Sequence, residues 1–171
     1  EIKPDAGNLV AQTTVPILGD DTAFEVFQKV TVAAELTLAR ALPQLIAGTA
    51  PSVPLNLKAG SYFSGRKPED GRIDWTRTAA EVNNLVRAVA PPYPGAFADV
   101  GSKRIVVEKA RVAAAEATSS VPVAGQIART SNGSSGFVCG DGKLLIPLRL
   151  IVEDKTLDAS ASQTWLATVK Q

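Results

Sequence analysis

The run Pro91-Pro92-Tyr93-Pro94-Gly95 constrains the fold more than any other stretch of the chain. Proline lacks the backbone N–H that a helix requires, and it pushes the residue before it, here Ala90, out of the α region. A helix that approaches this run must therefore end at it. Beyond Gly95 the sequence changes to short apolar stretches separated by glycine-rich turns, which is typical of β-strands. The chain is thus expected to change from helix to sheet at this turn.

Two capping boxes predict where helices begin. In a capping box a Ser or Thr is followed three residues later by Glu or Gln, and the two side chains satisfy backbone groups of the first helical turn. Thr22 with Glu25 and Thr78 with Glu81 both fit this pattern. The first box opens a long apolar helical pattern that runs to the stop signal Gly48. The second opens a shorter helix that reaches the proline run.

The residues around the first helix complete a fragment of an α/β layer. Leu9 to Ile17 is rich in β-forming residues and bounded by turn residues, so we predict a strand there. Pro43 is expected to kink or end the helix that follows. Thr49 to Lys58 carries two prolines and little periodicity, which is typical of a linker. The predicted division is residues 1–50 as one domain, 51–60 as a linker and 61–171 as a second domain.

The second domain is predicted to be a small β-barrel. Its strand candidates are short apolar runs between turn signals, at 96–100, 104–112, 123–130, 136–140 and 143–152. Residues 113–121 are small and polar and are expected to form a surface loop. A last short strand or helix is expected to include Trp165 and Leu166. Five or six short strands with one helix predict a closed barrel, with the OB type as one option, so the whole chain is expected to be α+β.

Composition excludes several kinds of chemistry. The 171 residues include no histidine, so the chain can build neither a Ser-His-Asp triad nor a zinc site that contains histidine, and no metal site is predicted. The net charge of +1 gives no argument for binding nucleic acid or an anionic membrane. No apolar run approaches the length needed to cross a bilayer, so membrane insertion is not expected. Cys139 is the single cysteine and is interpreted as a small buried hydrophobic residue.

A long composite motif surrounds the proline run. It reads Asp70-Gly71-Arg72-Ile73-Asp74-Trp75, then the capped helix with Arg87-Ala88, then Pro94-Gly95-Ala96-Phe97. Upstream, Lys3-Pro4-Asp5-Ala6-Gly7 leads into a run that ends with Ala11-Gln12. In this order and spacing the two blocks resemble the folate-dependent formyltransferase family, in its C-terminal portion. The resemblance implies the end of a Rossmann-like catalytic domain, with one strand and one long helix, followed by an OB-like C-terminal domain.

The resemblance also implies a reaction. Members of this family move a formyl group from the co-substrate 10-formyltetrahydrofolate to a primary amine. By resemblance Asp5 is a catalytic residue, because a carboxylate can favour a charged imidazole and accept the proton of the attacking amine. The loop implied to lie against the folate consists of Glu1, Ile2, Lys3, Pro4 and Asp5. The other two catalytic residues of the family, an asparagine and a histidine, are expected upstream of Glu1.

The amine acceptor is expected to contact a local basic cluster. Arg66, Lys67 and Arg72 precede the second helix and are interpreted either as a solvated loop or as contacts to phosphate groups. The run Val86 to Ala90 is similar to the corresponding run of enzymes that formylate UDP-4-amino-4-deoxy-L-arabinose in lipid A modification. By this resemblance, the nucleotide sugar is the preferred acceptor. Methionyl-tRNA formyltransferase, which acts on initiator tRNA, is the close alternative. A formyltetrahydrofolate hydrolase module is a third interpretation.

The start of the sequence adds further expectations. It lacks an initiator methionine and the upstream catalytic residues, so we expect a processed or excised piece that transfers no formyl group by itself. The lack of histidine also fits a non-catalytic domain that binds the acceptor or another subunit. The resemblance implies a cytoplasmic location. Without the rest of a sheet, self-association is expected through exposed apolar side chains, namely Leu9, Val15, Ile17, Phe24 and Phe27.

Overall fold

The computed structural model describes residues 6–116 and 123–169. The chain divides into two units between Arg66 and Lys67, and the predicted linker at 51–60 therefore lies inside the first unit. The assignment of the two units to the domains of an enzyme stays a prediction. No helix within the described ranges is long and apolar enough to span a bilayer.

The first unit is built on helix α1, Ala23–Ile46. The predicted capping box is confirmed: the Thr22 N–H donates to Glu25 Oε2 at 2.7 Å, and the Glu25 N–H donates to the Thr22 hydroxyl at 3.3 Å. Gly48 adopts a φ of +68° just beyond the helix. Glycine enters this left-handed conformation without a Cβ clash, which is why it ends helices so often. A short 3-10 turn, Leu57–Ala59, follows later in the same unit.

Pro43 lies inside α1 and does not end it. A proline removes only its own N–H from the hydrogen-bond ladder, and the turn after it can still close. Here the Ala47 N–H donates to the Pro43 carbonyl at 3.0 Å. The helix therefore continues through Pro43 to Ile46.

The prediction of a strand at Leu9 to Ile17 is wrong. Only Leu9 pairs, in an isolated antiparallel bridge to Val53 with backbone hydrogen bonds of 2.8 and 3.0 Å. A strand requires a hydrogen-bonded neighbour along its length, and no second segment of the described residues supplies one here. The residues after Leu9 instead line a groove of about 390 Å³ against α1, where Arg40 Nη2 donates to the Thr13 hydroxyl at 2.7 Å.

The first unit leaves much apolar surface exposed. Ile17, Phe24 and Phe27 are 71%, 39% and 60% exposed, as expected from the sequence. Leu9 and Val15 are half-buried instead: Leu9 pairs with Val53, and Val15 lines the groove. Whether the exposed side chains cause self-association stays a prediction.

The second unit is an antiparallel half-barrel. Its six strands are β1 Ala96–Val100, β2 Lys103–Ala113, β3 Ile127–Arg129, β4 Ser135–Val138, β5 Leu144–Val152 and β6 Lys155–Leu157. The strand order is β1-β2-β5-β4-β3. Strands β4 and β6 lie on the same side of β5: β4 pairs with the first residues of β5, and β6 pairs with its last residues. All five predicted strands are present, β3 is shorter than predicted, and β6 was not predicted. The predicted surface loop at 113–121 is described only to residue 116, and its residues 117–121 lie outside the described residues.

The half-barrel is consistent with the small β-barrel domain that the sequence predicted, but the described ranges do not show its closure. Within the described ranges no ladder joins the two edge strands, β1 and β3. The segment before the second helix takes part of the free side of β1, because the Ile73 N–H donates to the Phe97 carbonyl at 2.8 Å. At Phe97 the open side of β1 is therefore hydrogen-bonded to a segment that is not a strand.

The second unit contains two helices beside the sheet, whereas one was predicted. Helix α2, Ala79–Ala88, begins at the predicted capping box and ends before the proline run. Helix α3, Ala159–Thr168, forms in the segment where a strand or a helix was expected. The Asp158 carboxylate caps it by accepting from the Ala161 N–H at 2.8 Å.

The core of the second unit joins the sheet to both helices. Val82 and Val86 of α2 and Leu166 of α3 share one buried cluster with the sheet. Trp75 stacks on Phe137 with ring centroids 4.7 Å apart. Trp75 is therefore anchored in the core.

Helix α3 also completes the hydrogen bonding of β4. Gln163 Oε1 accepts from the Ser135 N–H at 2.6 Å, and Gln163 Nε2 donates to the Ser135 carbonyl at 3.0 Å. The ladder between β4 and β5 contains only Phe137 and Val138 on the β4 side. The side-chain amide thus satisfies backbone groups that β5 does not reach.

The turn between β4 and β5 docks closely on the segment that leads into α2. The Gly140 N–H donates to the Arg77 carbonyl at 2.7 Å, and a Cβ added at Gly140 would lie 1.8 Å from the Thr76 carbonyl oxygen. The neighbouring Asp141 Oδ1 accepts from the Ala79 N–H at 3.1 Å, so it satisfies an orphan donor in the first turn of α2. We call this pair of interactions the Gly140 contact.

We expect Gly140→Ala to destabilise the second unit by about 1–3 kcal/mol, because the new methyl group must displace backbone. Both tryptophans of the chain, Trp75 and Trp165, lie in this unit, so fluorescence during urea unfolding reports its stability. The matched control is Gly101→Asn, at a φ of +60° with open space around it. Equal unfolding midpoints for the two variants would contradict the proposed close approach.

We expect the thiol of Cys139 to be unreactive in the folded protein. Burial, and then the charge of Asp141, raise the pKa of Cys139 to about 11. At about pH 8 only about one thiol in a thousand is then ionised, and the thiolate is the reactive form. Ellman's reagent should label the unfolded chain in guanidinium fully and the native chain barely at all. Rapid labelling of the native protein is the opposite outcome.

Candidate functional site

The predicted catalytic and folate-binding residues lie outside the described residues. These are Glu1, Ile2, Lys3, Pro4 and Asp5. The described chain starts at Ala6, and soon afterwards Asn8 Nδ2 donates to Ser52 Oγ at 2.8 Å. The catalytic role of Asp5 and the folate contacts therefore stay predictions.

The predicted acceptor contacts are divided between the two units. Arg66 is the last residue of the first unit, whereas Lys67 and Arg72 flank the 3-10 turn Pro68–Gly71 of the second. The Lys67 N–H donates to Asp70 Oδ2 at 2.7 Å and so stabilises the start of this turn. Arg72 follows the turn and places its side chain at a cleft of the second unit.

That cleft lies where the segment before α2 meets the helix, and its volume is about 300 Å³. We call it the α2 cleft; it is lined by Arg72, Asp74, Arg77, Glu81, Val82 and Leu85. Two guanidinium groups and two carboxylates contribute balanced charge. The apolar lining consists of the half-buried Leu85 and the buried Val82.

Arg77 links the two carboxylates of the α2 cleft. Its Nε lies 3.8 Å from Asp74 Oδ2, and its Nη1 lies 3.3 Å from Glu81 Oε1. Hydrogen bonds from the Thr76 hydroxyl and N–H hold the pKa of Asp74 below its usual value, and those from Thr78 do the same for Glu81. Both carboxylates are therefore charged at neutral pH, which suits ion binding better than general acid catalysis.

Arg72 is held by an aromatic ring and a third carboxylate. The guanidinium groups of Arg72 and Arg104 lie over the Phe97 ring, 4.9 and 4.6 Å from its centroid. Arg72 Nη1 donates to Asp99 at 3.0 Å, and Arg104 Nε donates to it at 3.2 Å. We call these four residues the Phe97 cluster. It restricts the orientation of Arg72 at the edge of the α2 cleft.

The sequence analysis missed Asp99 and Arg104. They are direct cross-strand partners in the hairpin of β1 and β2. Its turn contains Gly101, which adopts a φ of +60°. The two residues are equally far in sequence from the centre of that turn, and such positions face each other in an antiparallel hairpin. A search for opposite charges at matched distances from the centre of the Gly101-Ser102 turn would have found the pair.

The α2 cleft can bind a polar ligand but offers no group for acyl transfer. Its ionisable side chains are two arginines and two low-pKa carboxylates, and the chain contains no histidine. Among residues 6–116 and 123–169, no three His, Cys, Asp or Glu side chains are grouped so that they could hold a metal ion. In the described part of the chain this cleft is thus a binding site candidate and not a catalytic centre.

We expect the Asp99 carboxyl to titrate below its ordinary pKa of 3.8, because it accepts hydrogen bonds first from Arg72 and then from Arg104. Its folded-state pKa is depressed, so its stabilising effect is full above the ordinary value and is lost as the pH falls through the folded one. Carbon NMR titration should show Arg72→Gln raising the pKa of Asp99 more than Arg104→Gln does. Arg149→Gln, whose partner is Glu108, is the control and should leave it unchanged. An equal titration in all variants would argue against the Phe97 cluster.

Solved structures of HypX from Aquifex aeolicus share the fold. A variant form of HypX matches all of this chain with a TM-score of 0.63 and 19% identity, over 30% of the HypX chain. HypX in complex with tetrahydrofolic acid matches 98% of the chain with a TM-score of 0.63 and 17% identity, over 29% of its own length. The chain thus spans about a third of the length of these proteins. At this identity the likeness establishes the fold alone.

A family model matches most of the second unit. The model describes the formyl transferase C-terminal domain and aligns with residues 66–165. The matched range contains the α2 cleft, the Phe97 cluster and the Gly140 contact. It covers more than half of the chain and agrees with the resemblance carried by Asp70 to Phe97. The chain therefore belongs to the formyltransferase family and contains its C-terminal domain.

Proposed function

We propose that this chain is part of an enzyme that moves a formyl group from 10-formyltetrahydrofolate to a primary amine. The observation that carries the proposal is the family match over residues 66–165. The complex of the structurally similar HypX with tetrahydrofolic acid supports a folate co-substrate. Because the chain spans only about 30% of HypX, the activity is proposed for the full-length protein.

In this proposal the two units have different roles. Residues 1–50 are the end of a Rossmann-like catalytic domain, with Asp5 accepting the proton of the attacking amine. The tetrahedral intermediate carries an oxyanion, which an amide and an imidazolium from elsewhere in the catalytic domain stabilise. The second unit contributes the acceptor side, through Arg72 at the α2 cleft.

The preferred acceptor is the nucleotide sugar UDP-4-amino-4-deoxy-L-arabinose. Such a molecule carries both a basic amine and an anionic diphosphate, and the α2 cleft presents two carboxylates and two guanidinium groups. The net charge of +1 also fits a small acceptor better than tRNA, because proteins that grip nucleic acid generally carry a basic surface.

Two of the alternatives are outcomes of the same experiment. A methionyl-tRNA formyltransferase would use initiator tRNA as the acceptor. A non-catalytic acceptor-binding domain is favoured by one observation, the absence of histidine from all 171 residues. Assays of the full-length protein with each acceptor separate these cases.

We expect the full-length protein to formylate UDP-4-amino-4-deoxy-L-arabinose in the presence of 10-formyltetrahydrofolate. Asp5→Asn should lower kcat about 10²–10⁴-fold, because it removes the proposed proton acceptor. The matched control is Asp20→Asn, an exposed aspartate in the turn before α1, which should retain activity. Mass spectrometry of the product identifies the formamide. Formylation of methionyl-tRNA alone would refute the preferred acceptor, and full activity of Asp5→Asn would refute the catalytic role.

A further inference from the structure

Two guanidinium groups of the Phe97 cluster share a single carboxylate. Arg72 Nη1 donates to Asp99 Oδ2 at 3.0 Å, and Arg104 Nε donates to Asp99 Oδ1 at 3.2 Å. Within the described ranges Asp99 is the only carboxylate that forms an ion pair with either arginine, because the two carboxylates of the α2 cleft pair with Arg77 instead. With two positive charges and one negative charge, the Phe97 cluster has a net charge of +1.

The groups of the Phe97 cluster lie together on the outward side of the sheet. Along β1, Ala96 and Ala98 are buried, whereas Phe97 and Asp99 alternate with them and face outward. The two guanidinium groups lie 4.9 and 4.6 Å from the centroid of the Phe97 ring. The ring and the carboxylate thus orient both cations before any ligand arrives, so a ligand that binds them immobilises fewer side chains.

Both arginines keep N–H groups that can reach a ligand. Each guanidinium carries further donors beside the one that bonds Asp99. The side chains of Arg72 and Arg104 are 54% and 59% exposed, so these donors are accessible from solvent. Phosphate oxygens accept pairs of parallel hydrogen bonds from a guanidinium group. Since Arg72 also lines the α2 cleft, the Phe97 cluster lies at the rim of that cleft, within the second unit.

We propose that Arg72 and Arg104 together bind a diphosphate group at the rim of the α2 cleft. Both guanidinium groups lie beside one ring, so each phosphoryl group of a diphosphate can face one of them. The inference rests on the proposed nucleotide-sugar acceptor and deepens it, because it makes Arg104 a residue that determines specificity for the diphosphate. Asp99 orients the two arginines in the free protein and competes with the ligand for them.

The direct test is binding of inorganic pyrophosphate to the full-length protein, measured by calorimetry. Arg104→Ala should weaken binding about 5- to 30-fold, because it removes charge-assisted hydrogen bonds at a partly exposed site. Arg104→Lys keeps the charge without the planar fork and should weaken binding less. The matched control is Arg149→Ala: the Arg149 side chain is also 59% exposed and also pairs with one carboxylate, that of Glu108, at 3.1 Å. This control should bind pyrophosphate like the original protein.

Asp99→Asn separates a binding role from a structural one. The amide keeps an acceptor oxygen for an arginine but removes the competing negative charge, so pyrophosphate should bind about 2- to 10-fold more tightly. Arg104→Ala and Asp99→Asn disrupt the same ion pair, so a purely structural role would give them effects of the same sign. Weaker binding in both variants, unchanged affinity in Arg104→Ala, an equal loss in Arg149→Ala, or no binding to the original protein would each overturn the diphosphate site.

Kinetics separate this inference from the proposed function. With UDP-4-amino-4-deoxy-L-arabinose, Arg104→Ala should raise KM and leave kcat unchanged, because the diphosphate takes no part in bond formation at the amine. Formylation of the sugar with an unchanged KM in Arg104→Ala would reject the diphosphate site and leave the proposed reaction intact. Absence of sugar formylation, with pyrophosphate binding still dependent on Arg104, would reject the proposed acceptor reaction and retain the diphosphate site.

Discussion

The close approach of the β4–β5 turn to the backbone before α2 fixes the position of α2 against the sheet of the second unit. Gly140 meets the Thr76 carbonyl at a distance that leaves no room for a side chain, and Asp141 completes the first turn of α2. These backbone contacts fix the start of α2 relative to the sheet. Trp75 lies just before Thr76 and stacks on Phe137 of β4. The same contacts therefore place the segment Asp70 to Trp75 against the core. The geometry of the α2 cleft follows from that placement.

Charge balance distinguishes the α2 cleft from a simple anion site. Arg77 is shared between Asp74 and Glu81, and Arg72 is held by Asp99. Each cation already has an internal partner, so a ligand must exchange one ion pair for another and gains little from charge alone. Selection between ligands would then depend on the shape of the ligand and on how well its positive and negative groups match those of the α2 cleft.

The features that the sequence predicted well are those that depend on neighbouring residues. The capping boxes at Thr22 and Thr78 were correct because a cap involves only one helical turn. The strand at Leu9 to Ile17 failed because a strand depends on a distant partner, which composition cannot reveal. For the site, Arg72 was identified from a local cluster of basic residues in the sequence, whereas its ion pair with Asp99 depends on pairing across a hairpin. Asp5 lies outside the described residues, so its catalytic role stays a prediction from the sequence.

The two hydrogen bonds between Gln163 and Ser135 have a consequence for solubility. Between the residues that pair with β4 and those that pair with β6, the middle of β5 has no strand on that side. Unpaired strand backbone can recruit strands from other molecules. A side-chain amide carries one donor and one acceptor in the same arrangement as a peptide group, so Gln163 occupies the place that a foreign strand would take. Helix α3 therefore closes the gap in the ladder between β4 and β5 to strands from other molecules.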